Sequence, residues 1–140
     1  MWTKEFAGEC SATPAEVFGI LAEPTKWAEW NEGVRNVEMD GPFAADTAAV
    51  MELPDGTRLP FHFTWVEADK GYEDLTEVAD AGVSVRVRHE LFPTATGTRI
   101  VYRCEAEGPE EAAAEVGGFA SADFADVISA LGARAEGLHG

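Results

Sequence analysis

A histidine, two tyrosines and an aspartate carry the most promising chemistry in this sequence. They fall on neighbouring extended segments: Tyr72 and Asp74 in YEDLTEV, His89 in VSVRVRHELF and Tyr102 in TRIVYRCEAE. Side chains alternate along a strand, and a short turn fixes which residues face one another. With Thr94–Gly97 as one turn, Leu91 lies opposite Ile100, His89 opposite Tyr102 and Val87 opposite Cys104. With Ala79–Gly82 as the turn before it, Thr76 pairs with Val85, Asp74 with Val87 and Tyr72 with His89. Tyr72, His89 and Tyr102 then form one row on one face, with Asp74 on the diagonal and within side-chain reach. A neutral histidine beside tyrosines in apolar surroundings can act as general acid or base near pH 7. A carboxylate nearby can orient the ring or hold its charge, and its own pKa responds to desolvation. Tyr72 or Tyr102 can donate a hydrogen bond to a developing enolate oxygen. Such equipment suits removal of a proton alpha to a carbonyl and protonation of a departing hydroxyl, the two halves of an aldol cyclisation and dehydration. The same residues equally suit a satisfied polar cluster that only positions ligand oxygens, since buried polar groups need partners whether or not they catalyse.

The surrounding face is apolar. Taking Ala68–Gly71 as the next turn back, Trp65 falls opposite Asp74 and Phe63 opposite Thr76. Phe61, Phe63, Trp65, Val87 and Ile100 thus line the ligand-facing wall, opposed by Phe124, Ile128 and Leu131 of a helix. The other face collects Arg86, Arg88, Arg99 and Arg103 with Glu73, Glu77, Glu90 and Glu105, a pattern that reads as solvated ion pairs. His62 falls on that outer face and His139 in the tail, so neither is a catalytic candidate. The PDG turn allows either parity for Val50 and Met51.

These strands need elements to hold them. WTKEFAGEC alternates as a first strand, and SATPAEVFGILAE follows as a helix with Thr13 as N-cap, Pro14 at its first position and Glu16 completing a capping box. Pro24 ends that helix, and a second short turn carries Trp27 and Trp30 on one side. Six strands then follow between VRNVEMD and TRIVYRCEAE, divided by DGPFAAD, PDG, ADKG, ADAG and TATG. After Gly108-Pro109 the period changes to helical. Gly117-Gly118 is expected to break this helix and Ser121 to cap a longer one, with Phe124, Val127, Ile128, Leu131, Ala135 and Leu138 as its apolar stripe.

At 140 residues the chain forms a single domain, 1–140, large enough for a substantial core. A net charge of −16 argues against nucleic acid and against anionic membrane surfaces as partners. No apolar run reaches the roughly 18 residues of a spanning helix, so membrane insertion is not expected. MWTKEFAGE lacks the apolar core and cleavage site of a signal peptide, which points to a cytoplasmic protein. Cys10 and Cys104 have neither metal-ligand spacing nor a disulfide pattern, and no metal or nucleotide motif is present. The expected chemistry therefore uses no metal and no cofactor.

Three stretches carry a resemblance: SATPAEVFGILAEPTKWAEWNEGV, then VEMDGPF, then HELFPTATGTRIVYR ahead of a C-terminal helix. In these the chain resembles the START-like (SRPBCC) superfamily, in particular its bacterial polyketide cyclase/dehydrase and lipid-transport group. The resemblance implies an α+β helix-grip fold, a seven-stranded antiparallel sheet wrapped around a long C-terminal helix with a hydrophobic cavity between them. It implies a small, apolar, oxygenated ligand and, as leading activity, cofactor-independent cyclisation or dehydration of a polyketide-type substrate. A non-catalytic carrier or sensor, or a protein-interaction module, is the alternative. The superfamily has no universal catalytic signature, so roles for His89, Asp74, Tyr72 and Tyr102 rest on the strand register alone.

Overall fold

Every turn signal in the sequence becomes a connection within one antiparallel sheet. In the computed structural model, whose described residues are 1–137, the strands are β1 (Trp2–Cys10), β2 (Asn36–Met39), β3 (Ala48–Glu52), β4 (Arg58–Glu67), β5 (Gly71–Val78), β6 (Val83–Thr94) and β7 (Gly97–Glu107). Their spatial order is β1-β7-β6-β5-β4-β3-β2, so β2 to β7 form a meander and the first strand closes against the last. Helix α1 (Pro14–Leu21) and a 3-10 turn (Pro24–Glu29) link β1 to β2. Helices α2 (Glu110–Ser121) and α3 (Phe124–Glu136) follow β7 and cover the inner face, α2 over β6 and β7 and α3 over β1. This is the α+β helix-grip architecture. Leu138 and His139 lie outside the described residues.

The start of α1 follows from local chemistry. Thr13 Oγ1 accepts the Glu16 N–H at 3.2 Å, and Glu16 Oε1 accepts the Thr13 N–H at 2.9 Å. Two otherwise unpaired helix-end donors are satisfied, a contribution of about 1 kcal/mol.

The last helix is interrupted later than expected. Gly117-Gly118 lies inside α2, and the break falls at Ala122-Asp123. A Cβ on Gly117 would come within 2.3 Å of the Trp2 ring. This glycine is therefore present for a close approach of helix to strand, and not as a helix breaker. Ser121 does not cap α3 either: its hydroxyl donates to the Gly117 carbonyl at 2.8 Å, while Asp123 holds the cap position.

Between β4 and β5 the sequence-based register also needs correction. Phe63 pairs with Asp74, Trp65 with Glu73 and Glu67 with Gly71, with a bulge between Phe63 and Trp65. The turn is one residue shorter than expected, and the extra residue in the bulge reverses the parity of the residues beyond it. Phe61 and Phe63 keep their inward direction. Trp65 turns to the outer face with Glu73, and its ring lies beneath the Arg88 guanidinium, 4.0 Å from the centroid. Trp65 is therefore no part of the inner wall; Val66 packs there in its place, opposite Tyr72. In β3 the open parity resolves with Ala49 opposite Phe61 and Met51 opposite Val37, both facing the core.

Candidate functional site

The site begins with three adjacent strands in the expected register: Tyr72 pairs with His89, and His89 with Tyr102. All three side chains are more than nine-tenths buried. Tyr72 and His89 stack with centroids 3.9 Å apart and planes 13° apart, and Tyr102 meets His89 edge-on at 4.4 Å. Gly71 makes that stack possible. Its φ of +142° suits glycine, and a Cβ there would stand 1.9 Å from the His89 carbonyl oxygen. The next row holds Asp74, Val87 and Cys104, so Asp74 is one step along the same face from the aromatic row.

Hydrogen bonding fixes the histidine tautomer. Nδ1 lies 3.2 Å from the Tyr72 backbone carbonyl, which can only accept, so Nδ1–H donates and Nε2 is left as an acceptor. Neither tyrosine hydroxyl, nor His89 Nε2, nor the Asp74 carboxyl bonds another described residue. Among the described residues the only side-chain polar atom both sealed from solvent and unpartnered is Trp30 Nε1. The four polar tips of the site therefore border space that a water-sized group can reach, with their hydrogen-bonding capacity unspent.

Burial sets the charge states. Desolvation lowers the His89 pKa to about 3, against a smaller raising effect of the Tyr72 carbonyl and the Glu73 charge, so the ring is neutral at physiological pH. Desolvation, reinforced by the negative charge of Glu73, raises Asp74 to about 8. Burial pushes both tyrosines above their ordinary value, with Asp74 adding to the effect on each. At neutral pH the site thus presents two phenol hydroxyls, one mostly protonated carboxyl and one imidazole acceptor, with little net charge.

The expected wall residues divide into two groups. Phe61, Phe63, Ile100, Ile128 and Leu131 lie in the core cluster that contains the aromatic row, with Phe124 packed against it. Phe63 meets Tyr72 edge-on at 5.8 Å, and Phe124 meets Tyr102 at 5.5 Å. Val87 belongs to a second cluster beneath α2. Two aromatic rings outside the expected wall also border the site. Trp27 stacks on Tyr72 at 5.6 Å while its Nε1 donates to the Leu21 carbonyl, so it is both core plug and part of the site. Phe43, from the loop between β2 and β3, meets Tyr72 at 5.4 Å and Phe63 at 5.0 Å. Its only signal in the sequence is a large apolar residue inside the Gly-Pro-rich turn DGPFAAD. Hollows of about 100 and 300 Å3 lie elsewhere, on the outer sheet face around Leu75, Ser84 and Arg86 and beside Trp2, Glu110 and Ala113.

The outer face is ion-paired. Burial alone would raise the Glu73 pKa, but hydrogen bonds from Arg86, Thr64 and Arg88 overcome it and hold the carboxylate below its usual range. Arg88 also pairs with Glu90, and Arg103 with Glu105. Among the described residues no three His, Cys, Asp or Glu side chains converge as a metal-ligand set, and no helix is long and apolar enough to cross a membrane.

Comparisons with solved structures agree with this architecture. A Mesorhizobium loti protein, MLL2253, superposes with a TM-score of 0.78 at 20% identity over 94% of each chain. Norcoclaurine synthase from Thalictrum flavum gives 0.79 at 13% identity, over 99% of this chain and 96% of that one. StfQ, the di-domain ARO/CYC of the steffimycin biosynthetic pathway, gives 0.80 at 15% identity, over 98% of this chain and 51% of its own length. At such identities the likeness is one of fold. No functionally curated protein matches the sequence. Residues 5–136 match the family described as polyketide cyclase / dehydrase and lipid transport, and the chain belongs to that family.

Proposed function

We propose that the space between sheet and helices binds a small, flat, oxygen-bearing apolar molecule, and that the chain cyclises or dehydrates a polyketide-type substrate there without a cofactor. The observation carrying this reading is the buried row of Tyr72, His89 and Tyr102, whose polar tips are unpartnered among aromatic rings, with the half-buried, unpartnered carboxyl of Asp74 one step along the same face. Buried polar groups ordinarily find partners. Ligand oxygens would supply them here. Family membership and the fold shared with an ARO/CYC protein support the same direction.

Proton transfer falls to Asp74. A pKa of about 8 leaves it mainly an acid at neutrality, with a carboxylate fraction basic enough to remove an activated proton. His89, at about 3, is too weakly basic for that step and serves as a fixed acceptor through Nε2 for a ligand hydroxyl. In the aldol step the Asp74 carboxylate takes the proton alpha to a carbonyl. The enolate carbon then bonds to a second carbonyl carbon, whose oxygen receives a proton and becomes a hydroxyl. In the dehydration a further alpha proton leaves to the carboxylate, and the hydroxyl departs as water after protonation by the acid form. The Tyr72 and Tyr102 hydroxyls donate to the enolate oxygen, and their raised pKa values keep them protonated. Relative to the sequence-based expectation, the roles of His89 and Asp74 are exchanged.

Native mass spectrometry of the protein from its own host, followed by incubation with a linear poly-β-ketone thioester, tests this. Asp74→Asn is expected to keep binding and to lose turnover by about 100-fold or more. Binding with no turnover in the wild type would replace the enzyme by a carrier, the reading that a permanently neutral His89 favours. No binding of any flat phenol or ketone would end the ligand reading itself.

A further inference from the structure

Resting on this reading of the interior, we propose that Phe43 is its specificity-determining residue: a loop-borne phenyl ring that stands where a ligand ring sits, and that a ligand must displace. Among the described residues, the row Tyr72–His89–Tyr102 is enclosed by Phe6, Trp27, Phe43, Phe63 and Phe124 through a chain of ring contacts. A flat ligand ring against the polar tips needs more room than a water molecule, and one of these rings has to yield to make it.

The rings differ in what holds them. Phe6 and Phe63 stand on strands within the ladder, and Phe63 is fully buried. Trp27 is tied by its indole N–H to the Leu21 carbonyl at 3.1 Å. Phe124 is the first residue of α3. Phe43 alone comes from a loop, residues 40–47, with no regular secondary structure. The loop's rim is well fixed. Asp40 N–H donates to the Ala48 carbonyl, Asp46 N–H to Phe63, and Phe63 N–H to Thr47. Asp46 turns the chain there with a left-handed φ of 75°. Inside that rim, no backbone N–H of residues 41–45 makes a bond of this kind, although the Ala44 carbonyl accepts the Thr47 N–H. Segments with few fixed hydrogen bonds and partial exposure open at the lowest free energy. Phe43 is such a residue: partly buried, yet edge-on to Phe63 and Tyr72 and tilted against Phe18 at 6.0 Å. It lies directly beside the Tyr72 ring, so its withdrawal exposes aromatic surface next to an unpartnered hydroxyl.

When a binding-competent form is only fractionally populated, apparent affinity falls by that fraction. Removing the ring removes the competition. Calorimetric titration with 2-naphthol, a flat phenol whose hydroxyl can donate to His89 Nε2, reads the effect. Phe43→Ala is expected to bind about tenfold more tightly than the wild type, and Phe43→Trp more weakly. Phe43→Leu keeps apolar contact while shrinking the ring, is expected to fall between wild type and Phe43→Ala, and guards against a folding defect in the alanine variant. Phe92→Ala, at an exposed position on β6, serves as the unchanged control. In wild-type protein carrying 4-fluorophenylalanine at position 43, the fluorine resonance should move toward its solvent-exposed value as 2-naphthol is added. Equal affinity in the folded Phe43 variants, or a fluorine signal unmoved at saturation, overturns the proposal. If the wild type binds and His89→Phe does not, that result leaves the interior reading standing. If neither the wild type nor Phe43→Ala binds 2-naphthol, both fall together.

Discussion

Replacing Asp74 by asparagine should change how stability depends on pH more than it changes stability at any single pH. In the unfolded chain this carboxyl titrates near 3.8, whereas in the folded protein desolvation and the charge of Glu73 raise it to about 8. Between those values the folded state holds a proton that the unfolded state has released, so the slope of unfolding free energy with pH is negative. The carboxyl therefore penalises folding increasingly as pH rises through this window, and the penalty levels off above about 8. One proton corresponds to about 1.36 kcal/mol per pH unit. From about pH 5 to about pH 7.5 the wild type should thus lose up to roughly 3 kcal/mol relative to Asp74→Asn, an upper limit because the side chain keeps some solvent contact. Urea denaturation of both proteins at several pH values across this range measures the difference, with every other titrating group common to both. Parallel curves would refute the argument: Asp74 would then be ionised in the folded protein, and its proposed part as a neutral-pH acid would fail with it. A carbon-13 titration of the Asp74 carboxyl with its midpoint near 8 would support the same conclusion directly.

Three further outcomes test the surrounding structure. His89 is neutral in the fold while the unfolded ring protonates near 6.5, so wild-type stability should fall as pH drops below that value. Relative to a His89→Phe variant the loss should reach roughly 2 kcal/mol by about pH 5, read by urea denaturation. Gly71→Ala should destabilise severely or prevent folding, since its Cβ would meet the His89 carbonyl; circular dichroism and thermal melting report it. The bulge in β4 predicts unequal alanine costs for neighbouring aromatics, about 3–5 kcal/mol for buried Phe63 and roughly 1 kcal/mol for Trp65 against Arg88, and equal costs in denaturant melts would contradict the outward placement of Trp65.

Much of the fold was legible because its rules are local. The capping box Thr13–Glu16 and the 3-10 turn after Pro24 follow from residues in direct succession. So does the row Tyr72–His89–Tyr102, because two tight turns and strict alternation along β5, β6 and β7 leave one register. Where a local signal had two meanings the sequence misled. The pair Gly117-Gly118 reads as a helix breaker, yet Gly117 serves the contact with Trp2, a residue more than a hundred positions away. The strand run from Phe61 to Trp65 alternates without a flaw, and nothing within it announces the bulge that sends Trp65 outward.

By itself, then, the sequence determined the meander of β2 to β7, the cap of α1, the inner face of β5 to β7 and the identity of the polar row, since each depends on alternation, turn length or capping within a few residues. Only the tertiary structure decided the rest. Phe43 enters the site because a loop folds back against Tyr72 and Phe63. Asp74 becomes a weak acid and His89 a weaker base because packed elements strip much of the water from both. Desolvation is a sum over everything that surrounds a group, and no stretch of sequence around either residue contains that sum.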